Sequence, residues 1–194
     1  TYNRIQQRLW ILTDEANNHF HFSLTADKIS EGLVLELADF IERNPETRLI
    51  AIDTFQVVRS PSRESAYAAD YGDMTALKTF ADEHNIAVLV LHHTRKMGDA
   101  DVFNTVSGTT GITGSADSTF VLTKSSRSDS NATLSVAGRD IAFQELKLRL
   151  HDCRWELVEK TSDEELEEPE VPDAILRVLD FMAATPGDWQ GTAT

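Results

Sequence analysis

Between Leu33 and Arg43 the apolar positions fall at Leu33, Val34, Leu37, Ala38 and Ile41, the spacing of a helix with one buried face. Asn44-Pro45 marks its end. A second pattern of this kind runs from Tyr71 to His84, with Met74, Leu77, Phe80 and Ala81 on the apolar side. After each helix comes a short run that is apolar at every position, "LIAI" at 49–52 and "IAVLVL" at 86–91. Runs without alternation predict strands buried on both faces, as in a parallel sheet sandwiched between helices. Helix and strand alternating in this rhythm predict βαβ units and an α/β fold. "FHFSL" (20–24) adds an earlier predicted strand.

The pattern then changes. "DSTFVLT" (117–123), "ATLSVAG" (132–138), "AFQELKLRL" (142–150) and "RWELVE" (154–159) predict strands joined by short turns, so that a sheet beginning parallel ends as an antiparallel meander. "TSDEELEEPE", residues 161–170, carries six acids and no base and predicts a solvated linker. Beyond it, Ile175, Leu176, Leu179 and Met182 mark one further helix. The organisation expected is a core over 1–160, a linker over 161–170 and the start of a second domain over 171–194.

Composition narrows the class. The 194 residues are 41% hydrophobic and 26% charged, ordinary for a globular domain with a sizeable core. A net charge of −14 argues against coating nucleic acid with the whole surface, though not against a local basic patch. The single cysteine, Cys153, excludes an intramolecular disulfide and fits a reducing, cytoplasmic compartment. No apolar run approaches the roughly 20 residues of a membrane span, and no basic-then-apolar leader opens the chain.

Candidate chemistry starts with "SGTTGITGSAD" at 107–117, which packs three glycines among hydroxyl residues. A phosphate-cradling P-loop ends in Gly-Lys-Ser/Thr, but Gly108, Gly111 and Gly114 precede Thr109, Ile112 and Ser115, and no glycine of the chain precedes a lysine. The stretch fails as a nucleotide cradle. In open α/β sheets ligands bind at the carboxyl ends of the parallel strands. Two such ends carry reactive groups: Asp53-Thr54 after "LIAI", and His92-His93 after "IAVLVL". An apolar strand ending in Asp is how a P-loop NTPase holds its magnesium, the Walker B arrangement. The competing readings are that Asp53 caps a turn and that the histidines are the polar end of a core strand.

Taken in order, "LIAIDTFQVVR", "VLVLHHTRK", a polar run ending "GITGSAD", and a strand followed by "AGRD" resemble the RepA-like hexameric ATPases of the RecA superfamily, found in plasmid and phage replication. The likeness covers almost all of residues 1–160, and "TYNRIQQRL" resembles the segment that follows the family's glutamate-bearing strand. The resemblance implies a RecA-like α/β fold, a ring-forming homo-oligomer, ATP with Mg²⁺, and single-stranded DNA as a partner. It also implies that the P-loop, its strand and helix, and the catalytic glutamate are missing, so that this piece alone neither binds ATP tightly nor hydrolyses it. The piece is then expected to self-associate or to fold its N-terminal segment over the gap.

Carried over residue by residue, the resemblance gives Asp53 the magnesium and Thr54 the orientation of its water. His93 becomes the γ-phosphate sensor, with His92 the alternative one position away. Arg139 of "AGRD" becomes the arginine finger, against Lys124 or Arg127 as alternatives and against a plain surface pair with Asp140. Residues 97–114 take the place of the mobile DNA-facing loop, with Arg95 and Lys96 at its root and Gly108 and Gly111 giving it freedom. The helix from Val171 resembles the start of a winged-helix domain. Two other classes compete. One is a metal-dependent hydrolase using Asp53, His92, His93, Asp70 or Asp73. The other is a non-enzymatic interaction module that assembles through its sheet.

Overall fold

The computed structural model describes residues 2–13, 18–61, 65–95 and 98–162. The chain divides after Ser162. The acidic run from Asp163 and the helix expected from Val171 lie outside the described residues.

The first element is helix α1, Tyr2–Leu12, which buries none of its residues. A single 3₁₀ turn at Ile29–Glu31 leads into α2, Leu33–Arg43, whose limits match the apolar period. Asn44 closes α2 by donating its side-chain amide to the Phe40 carbonyl at 2.9 Å. Strand β1, Leu49–Asp53, is followed by the short helix α3, Phe55–Val58, and by α4, Ala66–His84. Strand β2, Ala87–Leu91, pairs with β1 in parallel, Leu49 against Ala87 through Asp53 against Leu91. A 3₁₀ turn at Val102–Thr105 and helix α5, Thr110–Ser115, precede the meander. Its strands are β3, Ser118–Thr123; β4, Asn131–Gly138; β5, Gln144–His151; and β6, Arg154–Ser162, paired antiparallel in chain order.

The α/β class and the change from a parallel pair to an antiparallel meander are as the sequence predicts, with four corrections. "FHFSL" forms no strand. The parallel pair and the meander are two sheets, not one. Helix α4 begins five residues before Tyr71, because Ser65 accepts the Ala68 N–H at 3.2 Å as an N-cap. Its added turn, Ala66-Tyr67-Ala68-Ala69-Asp70, holds no large aliphatic residue to extend the apolar pattern.

The fourth correction concerns burial. Ile50, Ile52, Val88 and Val90 face a core made with Ile29, Leu33, Phe55, Met74, Leu77 and Ile112. The opposite face of the same strands is open: Leu49 is 57%, Leu89 45% and Leu91 40% exposed. The described residues therefore cover one face of the pair, not both. Helix α1 does not close it, since Trp10 and Ile11 are themselves exposed. No helix among the described residues is long and apolar enough to cross a membrane.

Candidate functional site

Parallel pairing puts Asp53 opposite Leu91, so Asp53-Thr54 and His92-His93 leave the sheet at one edge. The Asp53 carboxylate is exposed and makes no hydrogen bond or ion pair among the described residues. Thr54, joined to Asp53 by a cis peptide, is half-buried and caps α3 through its backbone only. Asp53 is thus an uncommitted carboxylate among the described residues. It does not cap the next turn, the alternative the sequence left open.

The two histidines part company. His92 turns inward, its ring edge-on to Phe55 at 5.7 Å and its Nε2 2.9 Å from the Ser107 carbonyl. Burial, opposed by that hydrogen bond and helped by the charge of His93, pushes the His92 pKa below its ordinary value. The neutral ring that donates from Nε2 leaves Nδ1 buried without a partner. His93 is exposed, and only its carbonyl is engaged, by Ser107. The neighbouring positions therefore hold one packed and one free imidazole.

The described part of the run 97–114, expected as a mobile DNA-facing loop, and the residues at its root make several contacts with the fold. Thr94 and Val106 form an antiparallel bridge, and the Arg95 N–H donates to the Thr105 carbonyl at 2.6 Å. The Arg95 guanidinium donates to the Gly108 carbonyl at 2.7 Å. Phe103 meets Phe143 edge-on at 6.3 Å. Gly108 has φ +94°, which favours glycine. Gly111 is buried in α5, where a β-carbon would stand 3.1 Å from the Tyr67 carbonyl and 3.2 Å from the Tyr71 nitrogen of α4. Its freedom serves a close helix crossing. Lys96 lies outside the described residues.

Two buried acids of α4 organise this edge. Asp73 accepts from the Ser60 N–H at 2.8 Å and the Ser60 hydroxyl at 2.6 Å. Asp70, fully buried, meets the Arg59 guanidinium at 2.5 Å without the alignment of a directed hydrogen bond. It also accepts from the Thr109 hydroxyl at 2.9 Å and its N–H at 3.2 Å. Beside them a cavity of about 400 Å³ is lined by Lys28, Gln56, Arg59 and Ser60 among others. Among the described residues no three His, Cys, Asp or Glu side chains gather in a group that could hold a metal. Asp70 and Asp73 are spent on Arg59, Thr109 and Ser60. The sequence did carry a signal for them, two acids inside the apolar period of a helix, but not for their partners.

Arg139 follows β4 in an exposed turn. Its partner is Asp117, at 3.5 Å, in place of the expected Asp140. Lys78 of α4 holds the same carboxylate at 2.7 and 2.9 Å, and its hydrogen bond draws the Asp117 pKa below the ordinary value. Lys124 sits over the Trp155 ring, 5.8 Å from its centre.

The profile of the AAA domain family matches residues 2–99, about half the chain and all of the β1–β2 unit that bears Asp53 and His93. The chain belongs to the AAA domain family. Membership gives an ATPase-like, nucleotide-binding type of domain over the matched residues. The meander, with Arg139, lies outside the matched residues of the AAA domain. No curated protein matches the chain.

Proposed function

We propose that this chain is the core of a RepA-like, ring-forming ATPase of DNA replication. Asp53 is its Walker B acid, His93 its phosphate sensor and Arg139 its finger to the neighbouring subunit. The observation that carries the reading is the shared strand edge at which an uncommitted carboxylate and an uncommitted imidazole leave adjacent parallel strands. Loop 97–114 is the DNA-facing element, with Arg95 and Lys96 at its root supplying charge for single-stranded DNA.

An exposed carboxylate with no protein partner fits a hydrated magnesium ion. Asp53 and Thr54 would hold it, and the ion would neutralise phosphate charge. The rest falls to side chains. His93 stands free to hydrogen-bond a phosphate oxygen, and Arg139 is exposed enough to reach a neighbour. A Gly-Lys-Ser/Thr loop is not among these 194 residues, so tight ATP binding by this chain alone is not expected.

The test is the coding sequence on the amino-terminal side of Thr1. A G-x-x-x-x-G-K-[ST] run within about 60–80 residues, then a strand ending in glutamate, supports the reading. A reading frame opening at Thr1 overturns the nucleotide roles. A second reading, an interaction module, draws on the open apolar face of Leu49, Leu89 and Leu91. Self-association by light scattering, with no nucleotide affinity in a longer chain, would favour it.

A further inference from the structure

The Asp70 carboxylate is held from two directions. Arg59, at the end of α3, belongs to the segment that leaves Asp53. Thr109, the N-cap of α5, belongs to the segment that leaves His93. His92 and Arg95 fasten the same returning chain two and one residues before Thr109, through the Ser107 and Gly108 carbonyls respectively. Asp70 itself is fully buried on α4, while the Arg59 side chain is 24% exposed. A buried carboxylate needs both cation and hydrogen-bond donors to remain in place, so the two arms are not independent.

We infer that Asp70 is a positioning residue that couples the segment after β1 to the loop returning from β2, Arg59 and Thr109 being the two arms. A displacement at one arm changes how well the shared carboxylate is satisfied at the other. In the proposed ATPase this would carry a change at the Asp53 end to the loop. The inference rests on that reading only for its purpose, since the bridge itself consists of Arg59, Asp70 and Thr109.

The test is amide hydrogen exchange on the 194-residue chain with no nucleotide added. Arg59→Met removes the cationic arm, which has no hydrogen bond to Val106 or Ser107 among the described residues, yet their amides should exchange about tenfold faster, within the range of ordinary site-to-site coupling. In an Asp70→Asn background the same substitution should add nothing. Reciprocally, Thr109→Val, which replaces the hydroxyl by a methyl and with it the α5 cap on the Gly111 N–H, should speed exchange at Val57 and Arg59, beyond any local change in α5. The β4–β5 amides serve as the unmoved reference. Effects confined to each substituted segment, additive effects in the Asp70→Asn background, or equal acceleration across the whole unit would each overturn the bridge. Should Arg59→Met not fold, the Thr109→Val arm decides alone. Absence of ATP hydrolysis in a longer chain would count against the ATPase reading and leave the exchange result standing.

Discussion

Arg139 Nη1 stands 3.5 Å from Asp117 Oδ1, while Lys78 already occupies that carboxylate at closer range. With side chains 59% and 57% exposed, the Arg139–Asp117 pair is a weak attachment. The guanidinium can therefore leave at little cost. Its backbone is better fixed, the Arg139 N–H donating to the Asp117 carbonyl at 2.9 Å. A firm base with a loosely held tip suits a group that acts on a neighbour.

Arg139→Ala should leave the thermal midpoint of the chain unchanged within error. In the ring-forming ATPase proposed above it should lower kcat by about 10³-fold or more, the range of a finger supplied in trans. Lys124→Ala and Arg127→Ala should not. Mixed rings give the sharper check, because a finger-less subunit should silence its neighbour's site and not its own. A loss of rate confined to Lys124→Ala or Arg127→Ala would move the finger to the β3–β4 turn.

Asp53→Ala should cost no measurable stability, since nothing in the described fold leans on that carboxylate. His93→Ala should behave alike. Both should abolish hydrolysis in the P-loop-bearing protein while its fold and assembly persist. Unfolding scans on the chain and single-turnover rates on the longer protein separate the two effects. Hydrolysis that survives Asp53→Ala would assign the metal elsewhere.

How far the sequence reveals this edge depends on the range of the interactions involved. The limits of α2 and the strands β1 and β2 are legible because apolar periodicity is local and strong. The end positions of Asp53 and His92-His93 follow from them. What is not legible is tertiary. Phe20 and Phe22 have a strand-like pattern but find each other at 5.9 Å in an irregular segment, without a ladder partner. The glycines of 107–117 read as freedom, whereas Gly111 admits the backbone of α4. The hairpin turn at Asp152-Cys153 has φ of 44° and 63°, positive at both central residues without the glycine that usually announces it. Partners such as Arg59 and Thr109, 11 positions before and 39 after Asp70, leave no mark at all on local spacing.

Gly111→Ala tests the tight crossing of α5 on α4. The added methyl would meet two backbone atoms of α4 at 3.1 and 3.2 Å, and backbone gives way less easily than a side chain. Overpacking of this kind costs about 1–3 kcal/mol, which chemical denaturation should read directly. Gly114→Ala is the control in the same helix, because its β-carbon meets nothing within 4 Å. Relieving glycine's entropy there should leave stability equal or slightly raised. Equal losses at both positions would mean that helix α5 itself, and not the crossing, is sensitive.

The last prediction concerns pH. Burial among Phe55 and the 107–109 turn keeps His92 neutral, and the nearby charges of His93 and Arg59 act in the same direction. The Ser107 carbonyl and Asp70 oppose them without reversing the shift. The folded state therefore takes up this proton at lower pH than the unfolded chain, whose imidazole titrates at 6.5. Between those two values the unfolded state binds more protons, so stability rises with pH through the window. The contribution is fully present above 6.5 and is lost as pH falls toward the lowered folded value. His92→Gln keeps a side-chain donor for the Ser107 carbonyl and removes the titration. The wild-type chain should thus lose stability relative to His92→Gln as pH falls below 6.5, with the gap constant above it. Urea midpoints for both proteins, measured at the same pH values, cancel the titration of every other group they share. A gap that does not change with pH would show that the imidazole is not held neutral by the fold.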